Sequence, residues 1–135
     1  MTASASLRDF LHRFVSSYDE LAVLLLLAGS AERDYSRREL SFALETSLEN
    51  VDSALAGLVH GDALVGVSPL GGDARYRYRP VDAAVAASVA ELQLAYAERR
   101  LEVVQMMSAN ALDRVRSSAA RRLAGAYRPE SNKKT

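Results

Sequence analysis

The chain contains no cysteine among its 135 residues. That excludes a disulfide framework, a thiolate zinc site and a cysteine nucleophile, and it suits a reducing cytoplasm. Histidine occurs only at His12 and His60, neither with an acid at metal-ligand spacing, so no metal is expected. The phosphate-cradling glycine loop, the dinucleotide fingerprint and the zinc-protease pair are all missing. These gaps argue against an enzyme and against a cofactor. The longest apolar run, Leu21 to Ala28, is far short of the roughly 20 residues that span a bilayer. The N-terminus breaks its apolar pattern with charges and lacks a secretory core. The expectation is a soluble, cytoplasmic protein that does not enter a membrane.

An excess of one charge is also missing. The net charge is zero, with 17 basic and 17 acidic side chains. It is unevenly spread: residues 1–79 carry 8 basic and 11 acidic groups, residues 80–135 carry 9 and 6. Nucleic-acid affinity would therefore come from local patches, not from the chain as a whole.

What is present is helical periodicity. Leu7, Phe10, Leu11, Phe14 and Val15 recur at helical spacing. Ser17 with Glu20 reads as a capping box, opening a helix apolar on nearly every side and therefore buried, with Gly29 as a left-handed stop. Ser36 with Glu39 reads as a second box, followed by a helix with Leu40, Phe42 or Ala43, and Leu44. Thr46 with Glu49 reads as a third, and the helix after it turns Val51, Leu55 and Leu58 inward. Short capped helices separated by a turn near Glu45 and Thr46 form a helix-turn-helix arrangement.

The period then changes to two. Leu64 to Val67 is strand-like, "PLGGD" at 69–73 is turn chemistry, and "ARYRYR" at 74–79 alternates tyrosine with arginine as a half-buried strand does. From Val81 to about Met107 the chain favours helix, with Val85, Val89, Leu92, Tyr96 and Val103 along one stripe and Pro80 in its first turn. The pattern loosens near Ser108 to Asn110, and a further helix is expected to reach Ala126. The end, from Arg128, is polar and expected to be disordered.

The pair "SRRELSFALETSLENVDSALAGLVHGDALV" and the hairpin "LGGDARYRYRP" resemble the winged helix-turn-helix transcriptional regulators of bacteria, in the broad MarR/TrmB-like sense. The likeness spans roughly residues 17–80 and rests on apolar spacing. It implies a mainly α fold with a small β-hairpin: a winged domain over 1–80 with an N-terminal amphipathic helix, a helical dimerisation arm over 81–127, and a tail over 128–135. It departs from the family pattern where Asp52, Ser53 and Ala54 stand in place of a basic residue after Val51.

The function this implies is a homodimeric transcriptional regulator that binds duplex DNA, with a recognition helix at about 47–60 in the major groove. Ser47, Asn50 and Ser53 would offer short polar contacts to base edges, and the small Ala54 and Gly57 would permit close approach. Arg75, Arg77 and Arg79 would follow a phosphate backbone or enter a minor groove. Arg37 and Arg38 would meet phosphate at a helix start. Each has a plainer alternative: a solvated helix face, charges guarding an edge strand, a solvated helix start. The acidic Glu49 and Asp52 repel phosphate, which supports a rival, a winged-helix module that binds a protein partner and no DNA. No residue identifies a small-molecule effector.

Overall fold

The computed structural model describes residues 5–60, 64–70 and 73–126. The chain order is α1 (Ala5–Phe14), α2 (Tyr18–Gly29), α3 (Arg37–Leu44), α4 (Leu48–Val59), β1 (Val65–Leu70), β2 (Asp73–Tyr78), α5 (Ala83–Glu98) and α6 (Arg100–Ala126). It is a mainly helical fold with one two-stranded antiparallel hairpin. The turn expected at 71–72 and the tail expected beyond residue 127 lie outside the described residues.

The helix starts follow from side-chain oxygens that satisfy first-turn amides. Ser36 accepts from the Glu39 amide while Glu39 accepts from the Ser36 amide, a complete capping box. Ser17 caps α2 by accepting from the Glu20 amide, but Glu20 does not reach back to Ser17. Its buried carboxylate takes the Ser16 amide at 2.7 Å and the Ser16 hydroxyl at 3.1 Å instead. The third cap is Ser47 and not Thr46, with Ser47 Oγ accepting from the Asn50 amide. Thr46 is held in the preceding turn, where its amide donates to the Ser41 carbonyl and its carbonyl accepts from Ser41 Oγ. That turn runs through Glu45 in a left-handed conformation, φ 54°. Gly29 is the last residue of α2, not a left-handed stop; the cap is Ser30.

The core runs through every helix and β1. Leu7, Leu11, Leu24, Leu27, Leu40, Val51, Leu58, Val65, Val89, Leu92 and Val103 belong to one buried cluster. Helix α1 packs on both α5 and α6, so the C-terminal pair shares its core with the first helix. The hairpin pairs Val65 with Tyr78 and Leu70 with Asp73, so both strands run further than the sequence pattern suggests. Tyr35 adds a single bridge to β2, exchanging two backbone hydrogen bonds with Tyr76 at 2.8 and 2.9 Å. Pro80 precedes α5 without entering it; Asp82 is the N-cap, accepting from the Val85 amide at 2.9 Å. The interruption among the C-terminal helices falls at Arg99 (φ −139°, ψ 53°), and the chain stays helical through Ser108 to Asn110. Asn110 is buried there and tied to α1: its carboxamide accepts from Arg8 Nε and donates to the Arg8 carbonyl, each at 3.2 Å.

Candidate functional site

The segment between Glu32 and Arg79 holds every residue that the sequence marks for recognition. Helix α4 turns Val51, Ala54, Leu55 and Leu58 into the core. Ala54 is thus a packing residue, not a point of close approach. Its outer face carries Ser47, Glu49, Asn50, Asp52 and Ser53, all exposed. Ser47 is spent on the cap, and Asn50 Nδ2 donates to Thr46 Oγ1 at 3.0 Å. Ser53 stands beside Asp52.

Arg37, at the start of α3, does not project as an open cation. Its Nε and Nη2 donate to the two carboxylate oxygens of Asp52 at 2.8 and 2.6 Å, a bidentate pair joining α3 to α4. Hydrogen bonding to Arg37 holds the Asp52 carboxyl below its ordinary value, and the same bond raises Arg37. Arg38 is exposed and shares a shallow depression with Arg33, Tyr35 and Phe42.

Strand alternation divides β2 as the sequence implies. Tyr76 and Tyr78 pack against the core, and Tyr76 with Val67 faces Asp52, Leu55 and Val59 of α4. Burial pushes the Tyr78 hydroxyl up. The arginines take the opposite face, away from α4 and toward the α2–α3 connection. Arg75 Nε donates to Asp34 Oδ1 at 2.9 Å, and its Nη2 donates to Glu39 Oε1 at 3.0 Å and to the Asp34 carbonyl at 3.2 Å. Arg77 Nη2 donates to the Glu32 carbonyl at 2.7 Å. Arg79 lies across Gly66: a Cβ there would fall 2.9 Å from Arg79 Cδ.

Two of the five arginines are therefore matched by carboxylates, Arg37 by Asp52 and Arg75 by Asp34 and Glu39. Among the described residues no carboxylate pairs with Arg38, Arg77 or Arg79. These acid partners are not legible in the sequence pattern, although Glu39 stands out there as a capping residue. The pattern also leaves Phe42 open between core and surface. Phe42 is 88 % exposed, because Leu40 fills the inward position of α3 and a residue two further along points away from it.

Among the described residues no three His, Asp or Glu side chains gather as a metal-holding group, and no helix is long and apolar enough to cross a membrane. Comparison of the chain with family models, with curated proteins and with solved structures finds no match.

Proposed function

We propose that the chain is a winged helix-turn-helix module that acts by binding a protein partner through its α3–α4 face, and not by reading DNA. The observation that carries this is the bidentate Arg37–Asp52 pair. A groove-reading helix needs cations beside it to meet phosphate, because phosphate contacts supply most of the affinity. Here the cation nearest α4 is neutralised by α4 itself, and Arg75 is neutralised from the other side of the hairpin. The same region leaves Phe42 bare. Exposed aromatics with an adjacent arginine are favoured anchors of protein interfaces. A fitting partner surface offers an apolar cleft for Phe42 and an anionic rim for Arg38.

The test is a selection from fragmented genomic duplexes with purified protein at low salt, run beside photo-crosslinking from position 42. The expected result is DNA binding no tighter than the non-specific range of about 10⁻⁶ to 10⁻⁴ M. A discrete crosslinked protein should also appear, competed by wild type but not by Phe42→Ser. A duplex bound with Kd below about 10⁻⁷ M, weakened by Arg75→Glu with Arg77→Glu, overturns the proposal.

A second reading, a homodimeric DNA-binding transcriptional regulator, is favoured by Arg38, Arg77 and Arg79, which have no carboxylate partner among the described residues. Three phosphate contacts in each protomer give a dimer six, and a log–log salt slope of about −5. That slope is the signature to look for if a duplex is recovered.

A further inference from the structure

Helix α3 carries a gradient of charge along its outer face. Leu40 is buried. Arg38 and Phe42 lie on the opposite side, close to one turn apart and about 6 Å along the axis, and both are exposed. Beyond Phe42 stands Glu45, also exposed. The α2–α3 connection extends the cationic end. There Arg33 shares a depression of about 370 Å³ with Tyr35, Arg38, Glu39, Phe42 and Ala43.

The two guanidiniums of this depression are open. Tyr35 is 5 % exposed and is fixed by its two backbone hydrogen bonds to Tyr76. The Arg33 guanidinium lies over the Tyr35 ring, 4.5 Å from its centroid. Stacking holds the fork in place without neutralising it, and it leaves the edge N–H donors able to face a carboxylate. Glu39 is the acid that lines the depression. Its Oε1 already accepts from the Ser36 amide at 2.9 Å and from Arg75 Nη2 at 3.0 Å. Among the described residues no carboxylate forms an ion pair with Arg33 or Arg38. The macrodipole of α3 also disfavours a cation in its first turn, so an arriving anion offsets that cost at Arg38.

We propose that this depression receives an acidic segment of a protein partner, with a carboxylate across Arg33 and Arg38 and a large apolar side chain against Phe42. The inference rests on the reading of the α3–α4 face as a protein-binding surface and names the chemistry of what binds there. Geometry limits the segment. Its acid and its apolar residue stand about 6 Å apart, which is two residues of extended chain or one turn of helix. Glu45 repels a carboxylate placed beyond Phe42, so the acids fall on one side of the apolar residue. A phosphate backbone would meet the two arginines but leave Phe42 in water.

The test is a selection of short random peptides displayed on phage against the full chain. It is repeated against Phe42→Ser and against Arg33→Gln with Arg38→Gln. All three side chains are exposed, so the helical signal and thermal midpoint of these variants should match wild type. The expected motif sets acidic residues on one side of an aromatic or leucine, and it is lost on Phe42→Ser. Synthetic peptides carrying it should bind the double-glutamine variant roughly tenfold more weakly than wild type, the scale of two exposed ion pairs. High salt should remove most of that difference. Replacing the acids by lysine should abolish binding to wild type and restore it to Arg33→Glu with Arg38→Glu. Peptides that need Phe42 but carry no acid, and that bind the double-glutamine variant as tightly as wild type, overturn the acidic segment while leaving the protein-binding reading intact. Recovery of no Phe42-dependent peptide also overturns it, and the protein-binding reading is then decided by the crosslink from position 42 and the duplex selection.

Discussion

Arg37 and Asp52 lie fifteen residues apart and meet through two parallel hydrogen bonds of 2.8 and 2.6 Å, the fork-on-fork geometry that makes arginine–carboxylate contacts directional. The pair spans the turn between α3 and α4, so it fixes their relative setting as well as their charge. Asp52→Asn is expected to lower the thermal midpoint slightly, since both partners are exposed. It also frees Arg37. Titration with a non-specific duplex at low salt should then show modestly tighter binding than wild type. Unchanged binding would mean that Arg37 is not accessible to phosphate even when released.

The two carboxylates that hold this region respond to acid in the same direction. The Ser36 amide and then Arg75 hold Glu39 below its ordinary 4.5, and Arg37 holds Asp52 below its ordinary 3.8. A carboxyl whose folded pKa is depressed adds stability above its unfolded pKa and loses that contribution as pH falls through the folded value. Stability from this pair should be fully present above about pH 5 and decline below the two ordinary values. Urea unfolding of Glu39→Gln and Asp52→Asn at pH 7 and at pH 3 checks it: each variant should differ from wild type more at pH 7 than at pH 3.

Replacing an exposed helical glycine by alanine ordinarily stabilises by about 0.5–1 kcal/mol. Gly57 of α4 is expected to behave in the opposite sense. A Cβ at Gly57 would fall 2.8 Å from Glu20 Cδ and closer still to Glu20 Oε2, and Glu20 is buried while accepting from Ser16. Displacing that carboxylate would break the entry to α2. Gly57→Ala should cost about 1–3 kcal/mol by urea denaturation, as overpacking does, and Gly57→Ala with Glu20→Ala should cost less than the sum of the two singles.

Phe42 separates stability from recognition. At 88 % exposure its side chain contributes little to folding, so Phe42→Ser should leave stability within about 0.5 kcal/mol. If it anchors a partner, the same change should weaken that complex by at least about 2 kcal/mol, roughly thirtyfold. Calorimetric binding to the crosslinked partner reads this directly.

The elements most legible in the sequence are those in which local chemistry and burial agree. Ser36 and Glu39 announce α3 because both halves of the capping box are local. Tyr76 and Tyr78 announce their inward face because strand alternation leaves no other assignment. Where a residue's partner is distant, the pattern is silent or misleading. Thr46 and Ser47 both satisfy the cap rule, and only the Ser41–Thr46 hydrogen bonds decide for Ser47. Asn110 looks like a helix breaker until Arg8, 102 residues earlier, supplies its donor and its acceptor. The same limit applies to the candidate site. Arg75, Arg77 and Arg79 read as an open cationic row, but whether a cation is open depends on Asp34, Glu39 and Glu32, which the fold brings in from another segment.

Asn110 of α6 is tied to Arg8 of α1. It is 2 % exposed and uses both ends of its carboxamide on Arg8, one on the guanidinium and one on the backbone carbonyl. Asn110→Ala removes both bonds and leaves the Arg8 carbonyl without this donor, a loss of about 1–3 kcal/mol. Arg8→Ala removes only the bond from Nε and keeps the one to the carbonyl, so it should cost less. In a double-mutant cycle the coupling should match the single Nε–Oδ1 bond, about 0.5–1.5 kcal/mol.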